Sequence, residues 1–409
     1  TINFDHLRYQ DSSFRTAGGR AIVANNAGVL SVGTGNIVGS NNLGDDVYAI
    51  DISGTTIGGA GFTLANVQLD YDDPGERAGG IRLVSNTGAF DFTTVSITTR
   101  FGSALLASST GTLTIGSGSL TTDNRAVMDI FNTTANISLD GLVRSTGSNG
   151  NGISFSNVGG TVTLAGELNI ANSAFTGLII ANSVAGSSFT FSGSTKRIDM
   201  GALGATAVYL QDHTGSTISF TNGGLDIDTT SAIGLRALGG GTLNITGSGN
   251  TINTTTGQAL VIDGVTIGTG NVTFQTVSRT GVANLTAIVL RNTGSTGGLR
   301  ITGTGSTDGS GGVIGNTNGS DGANGTLGNS IFLENTFDVQ LANMQLSGVA
   351  ANHHILGTNV NGLQLTNIDM TGASGTSVVA DEGGVELNGI TGTLTVTGGT
   401  YQGGVEDTF

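Results

Sequence analysis

The sequence predicts an all-β fold, a right-handed parallel β-helix (β-solenoid) in which coils of three short strands stack on one another. Three observations predict it. Apolar spacing of three and four is almost absent, and Gly interrupts nearly every window a helix would need. Short alternating apolar segments bounded by Gly, Asn and Thr run along the chain. These segments recur at a near-constant interval, the signature of a repeat architecture.

The first strand of the repeat reads small–apolar–any–apolar. It occurs at Ala21-Ile22, Ala49-Ile50, Gly80-Ile81, Ala104-Leu105, Ala126-Val127, Gly152-Ile153 and Gly177-Leu178. It recurs at Ala207-Val208, Gly234-Leu235, Ala259-Leu260, Ala287-Ile288, Ser330-Ile331, His354-Ile355 and Gly384-Val385. This gives about 14 coils of roughly 28 residues. A second strand follows, as at Phe62/Leu64, Phe90/Phe92, Leu113/Ile115, Ile137/Leu139 and Phe189/Phe191. A weaker third strand follows at Val67/Leu69, Val95/Ile97, Leu225/Ile227 and Met344/Leu346.

Alternation turns one residue of each pair into the coil, and stacking at about 4.8 Å per coil builds a core from columns of like residues. Phe62, Phe90, Phe92, Phe189, Phe191, Phe220 and Phe274 form one such expected column. A single coil cannot bury its apolar side, whereas about 14 stacked over about 65 Å can. Asn26, Asn157, Asn182, Asn292 and Asn335, with Asp212, fall four residues after the first-strand apolar residue. A second series, Asn66, Asn222, Asn343 and Asn367, follows the second strand. Asn tolerates the left-handed backbone of a sharp turn, and stacked amides can hydrogen-bond from coil to coil.

Composition narrows the class. Of 409 residues 71 are Gly, without a G-X-Y period, and only one is Pro, which excludes collagen. At 37% hydrophobic the chain is too apolar to be disordered, and at 11% charged its surface must be Thr, Ser, Asn and Gly. The net charge of −15, without a basic run, excludes nucleic acid and anionic membrane as partners. No apolar run reaches the length of a membrane span, so no membrane insertion is expected. Cys is absent, which suits either a cytosolic protein or a secreted one stabilised by a long repeat core. The start at Thr1 is expected to reflect a fragment or a processed chain of a larger surface protein.

Segments such as Gly111-Thr-Leu-Thr-Ile-Gly116, Gly160-Thr-Val-Thr-Leu-Ala165 and Gly392-Thr-Leu-Thr-Val-Thr-Gly-Gly399 resemble the repeats of pectin-lyase-like right-handed β-helix proteins. They are most similar to bacterial autotransporter-type passengers and large secreted adhesins with β-strand repeats. The resemblance covers residues 21 to about 404. It implies an extracellular or cell-surface location and, more weakly, a role, because fold does not carry function.

One solenoid domain is expected over 21–409, preceded by an irregular segment or cap at 1–20. A Gly/Asn-rich loop insert is expected at about 302–329, where Asn316-Thr-Asn318-Gly-Ser-Asp321-Gly resembles the start of a calcium loop without its closing Glu. Two acidic pairs, Asp45-Asp46 and Asp72-Asp73, stand about one coil apart and are candidates for a Ca²⁺ site at one corner. The resemblance implies that a lyase-type site would place Arg77 or Arg82 beside them as base. Solvated acidic turns are the plainer reading, and no catalytic residue is assigned. The four His lack metal-ligand spacing and are expected at exposed turn or rung positions.

Two outer faces stand out. The middle first-strand residue should face water, yet it is Val23, Leu106, Met128, Ile179, Tyr209, Val261, Val289, Phe332 and Leu356 at nine coils. An apolar stripe of that kind suits contact with another molecule, a copy of itself included. The second strand instead shows Thr63, Thr114, Ser138, Thr163, Thr190, Ser219, Thr273 and Thr395 outward. Flat Thr arrays also serve ice-binding solenoids, a minor alternative. The expected role is a non-enzymatic extracellular rod, a stalk, adhesin, sheath or appendage subunit. Its partners would be itself, laterally or end to end, or cell-surface or matrix carbohydrate or protein. A carbohydrate-active β-helix enzyme, a polysaccharide lyase or hydrolase, is the rival. No cofactor beyond Ca²⁺ is expected.

Overall fold

Alternation within each short strand sends every second side chain inward, and the computed structural model shows these residues stacked in columns. The structure describes residues 2–10, 20–40, 47–71, 78–201, 205–320, 327–376 and 381–409. Among them every regular element is a β-strand and the paired strands are parallel, forming a right-handed β-solenoid of about 13 turns. The chain divides into two units, residues 1–197 and 198–409.

In the first unit, Ile22, Ile50, Ile81, Leu105, Met128, Ile153 and Leu178 form one inward column through direct strand register. Val32, Phe62, Phe90 and Leu113 form another. The second and third sides run together without a turn in Thr56–Tyr71, Ala89–Thr99 and Thr112–Asp123. Asn66 therefore lies inside a strand and closes no turn. Strand Ile2–Gln10 pairs with Val29–Ser40, Phe4 opposite Val32, so the coil register already holds at residue 2; residues 11–19 lie outside the described set. In the second unit the inward column is Val208, Leu235, Leu260, Ile288, Ile331, Ile355 and Val385. The segment 302–329 contains a third strand, Gly312–Ile314, whose Ile314 stacks between Arg279 and Leu346.

The small residue that opens each first strand has a steric cause. The chain turns a corner there, so this residue and the next both face inward. A Cβ on Gly80 would lie 2.7 Å from Ile97 Cγ2, and one on Gly234 2.6 Å from Ile252 Cγ2, both inward third-strand atoms. The Asn corner behaves as its position predicts. Asn26, Asn157, Asn182, Asp212, Asn292 and Asn335 hold φ between 48° and 55°. Asn157 Nδ2 donates to Asn132 Oδ1 at 2.9 Å, and Asn335 to Asn292 at 2.8 Å, with Asn359 continuing to Asn335 at 3.1 Å.

A polar column lies where only apolar residues are expected. At the corner after the third strand, inward hydroxyls donate to turn carbonyls. Thr99 reaches Gly102 O at 2.6 Å, Ser148 reaches Asn151 O at 2.7 Å, Thr229 reaches Ala232 O at 2.7 Å and Thr254 reaches Gly257 O at 2.9 Å. Each bond spans three residues and gives a turn carbonyl a hydrogen-bond partner, and Gly102 O accepts a second one from Thr122 Oγ1 at 2.8 Å.

Lys196 also points inward, 1% exposed, its Nζ donating to Gly193 O. Burial pulls its pKa from 10.5 down to about 8. Between those values the unfolded chain holds a proton that the native chain has lost. Stability therefore rises with pH across that window, and the charged lysine costs about 3 kcal/mol below it. We expect Lys196→Met to be more stable than the parent by about 2 kcal/mol at neutral pH, with the gain mostly gone near pH 10.5. Urea midpoints at the two pH values measure this; an equal shift at both would show that packing, not charge, governs the site.

Candidate interaction surface

Strand register fixes which residues share the outer face of the first sheet. In the first unit the outward column is Val23, Asp51, Arg82, Leu106, Asp129, Ser154 and Ile179. The expected stripe is thus interrupted by charge. Arg82 Nη1 binds Asp51 Oδ1 at 2.8 Å, and Arg20 Nη1 binds Asp51 Oδ2 at 3.3 Å. Burial raises the Asp129 pKa, opposed by a hydrogen bond from Ser154. Val23 is 55% exposed, while Leu106 and Ile179 are half-buried.

Met128 is a correction. It pairs with Leu105 and Ile153, both inward, and is fully buried; Asp129 takes the outward place. The corner residue at this coil is Val127, not Ala126. A slip of one residue exchanges the two faces of a strand.

In the second unit the outward column is Tyr209, Arg236, Val261, Val289, Phe332, Leu356 and Glu386. Val261, Val289, Phe332 and Leu356 form one cluster with Leu238 packed against it. They are 3–8% exposed, so as folded they offer little surface to a partner. The cluster is edged by charge at the next outward position. Arg291 lies between Asp263 at 3.5 Å and Glu334 at 2.6 Å, with its guanidinium 5.6 Å from the Phe332 ring centre. Arg236 sits 5.8 Å from the Tyr209 ring centre in the same manner.

The outer face of the second sheet is hydroxyl- and amide-rich. Thr63, Asp91, Thr114, Asn136, Thr161 and Ser188 follow one another in register in the first unit. Ser138, Thr163 and Thr190 form the neighbouring column. In the second unit Thr273, Arg300, Gln340, Gln364 and Thr395 continue the pattern with longer polar side chains. Arg300 is paired with the Asp338 carboxylate.

Three of the four histidines depart from expectation. His213, His353 and His354 are at most 2% exposed. His354 takes the inward corner place usually held by a small residue, with Nε2 3.0 Å from Gly372 O and Nδ1 3.3 Å from Ser330 Oγ. His353 Nδ1 accepts the Gly383 N–H at 3.1 Å, and its Nε2 lies 3.2 Å from Glu386 Oε2. Burial lowers both pKa values, and at His353 the carboxylates of Glu386, Asp381 and Glu382 oppose it. Both rings are structural cross-ties.

The acidic pairs Asp45-Asp46 and Asp72-Asp73, with Arg77, lie outside the described residues. Arg82 is engaged by Asp51. In the 316–322 motif Asn316 Oδ1 accepts the Val349 N–H at 2.7 Å, a structural role; Asp321 lies outside the described residues. Among the described residues no group of three or more His, Asp and Glu is arranged to hold a metal ion, and no helix is long and apolar enough to cross a membrane. Compared with family models, curated proteins and solved structures, the chain shows no significant match to any.

Proposed function

We propose that this chain is a non-enzymatic extracellular structural or adhesive element, a stalk, adhesin, sheath or appendage subunit. It would be of the kind formed by autotransporter-like passengers and large secreted adhesins. The observation that carries the reading is the outer face of the second sheet. Thr, Ser, Asn and Gln side chains predominate there in strand register within each unit, interrupted at Asp91 and Arg300. Such a face has no single focus. It offers many equivalent weak hydrogen-bonding positions, which suits extended contact with a polymer or with another copy.

The test is negative-stain electron microscopy at several protein concentrations, paired with a polysaccharide-cleavage screen with and without Ca²⁺. Concentration-dependent filaments or laterally paired particles, or retention on immobilised matrix glycan without cleavage, are the expected results. Metal-dependent depolymerisation of any polysaccharide would overturn the proposal in favour of a lyase or hydrolase.

A further inference from the structure

Four coils of the first unit meet in a notch of about 280 Å³ at the entry to the first sheet. Its walls are the rings of Tyr48 and Phe101 and the side chain of Leu106, and Ser103 and Arg125 supply its polar atoms. The walls are held in place. A Cβ on Gly79 would lie 2.3 Å from Tyr48 Cε1, so the phenol ring rests on a surface only glycine leaves open. The Tyr48 hydroxyl is hydrogen-bonded to Ser103, and burial raises its pKa, so it stays neutral. The Arg100 guanidinium sits 5.5 Å from the Phe101 ring centre and fixes the opposite wall.

Arg125 is the informative residue. Its Nε donates to Phe101 O at 3.1 Å and its Nη1 to Asn149 Oδ1 at 3.0 Å, which orients the guanidinium without neutralising it. Of the nearby arginines, Arg20 and Arg82 share Asp51 and Arg144 meets Asp123 at 3.3 Å, whereas Arg100, over Phe101, has no carboxylate partner among the described residues. Among the described residues Arg125 has no such partner, in a chain with twenty-nine acidic residues against fourteen basic ones. An oriented, unmatched guanidinium beside two aromatic walls is a receptor for an anion carried on a flat apolar ring.

We propose that this notch binds a small aryl carboxylate, the ring between Tyr48 and Phe101 over Leu106 and the carboxylate on Arg125. A polyhydroxylated ring fits less well, because two hydroxyls already bonded to each other and one guanidinium cannot satisfy its several donors and acceptors. The site does not depend on the structural role proposed above, and its test is separate.

The experiment is a calorimetric titration of the full 409-residue chain with benzoate, with benzamide and glucuronate as comparison ligands. Saturable one-to-one binding of benzoate with a low-millimolar Kd is expected, and about tenfold weaker binding of each comparison ligand. Arg125→Gln should weaken benzoate about tenfold, whereas Arg144→Gln, whose parent residue is already paired, should leave it unchanged. Leu106→Glu, at a half-buried outward position, should abolish binding by placing a carboxylate against Arg125, and it guards against a folding defect in the first variant. The proposal is overturned by no saturation at tens of millimolar benzoate, by equal affinity for benzamide, or by full retention of binding in both Arg125→Gln and Leu106→Glu.

Discussion

Arg279→Met should destabilise the second unit by about 3–5 kcal/mol, among the largest effects of any single substitution. Arg279 occupies an inward third-strand position between Thr254 and Ile314 and is fully buried. Its Nη1 donates to Leu285 O, and its Nη2 to Thr317 Oγ1 and, at 3.3 Å, to Asn316 O. It performs the task of the corner hydroxyls of Thr229 and Thr254, but across six residues instead of three, where the turn is longer. Burial lowers its pKa to about 10, which leaves it charged at neutral pH. Met keeps much of the stem volume and removes every donor, so the carbonyls lose their partner. Hydrogen exchange at residues 281–286 and 315–317 should accelerate first, ahead of global unfolding in urea. Unchanged exchange in these segments would mean that the loop is held by other contacts.

Phe90→Ala should cost about 3–5 kcal/mol in the first unit. Phe62, Phe90 and Phe92 are fully buried on adjacent coils. The Phe62 ring centre lies 5.5 Å from Phe90 in a tilted pair and 6.2 Å from Phe92 in an edge-on pair. Removing Phe90 leaves a cavity bounded by Phe62 and Leu113, its register partners, which backbone pairing on both sides keeps from closing. Phe90→Leu should cost only about 1–2 kcal/mol. Because each coil contacts chiefly its neighbours, the damage should stay local. Limited proteolysis should find new cuts between about residues 55 and 120, with residues 331–370 as resistant as in the parent. Uniform loss of protection would show instead that the units unfold as one.

The columns were legible because two periods agree: alternation within a strand, and return of the same pattern one coil later. Ile50, Ile81 and Leu105 satisfy both, and so do the Asn corners at 157, 292 and 335. Val127-Met128 deceived the pattern because two consecutive apolar residues face inward at a corner, and alternation alone cannot say which begins the strand. The interior Thr column left a signal that apolar pattern-matching passes over, a Thr three residues before a small residue at Thr99-Gly102, Thr229-Ala232 and Thr254-Gly257. Arg279 and Lys196 left none, since a basic residue ordinarily marks a solvated face. The Tyr48, Phe101 and Arg125 notch was equally silent. Its members lie on three different coils, and no local motif joins them.

The register has a consequence for how such a chain changes over generations. Met128 pairs with Ile153 and Ile153 with Leu178, each twenty-five residues on, and Val143 with Leu168 keeps the same offset. Excising residues 128–152 as a block would set Ile153 onto Leu105 in the place Met128 held, and Leu168 onto Leu120 in the place of Val143. The first- and third-strand ladders would close again with like residues opposed. Losing a single residue from a strand would instead turn its apolar side chains outward. Viable gains and losses therefore come in whole coils, so that gene duplication and deletion can lengthen or shorten the molecule in discrete steps while leaving its cross-section unaltered.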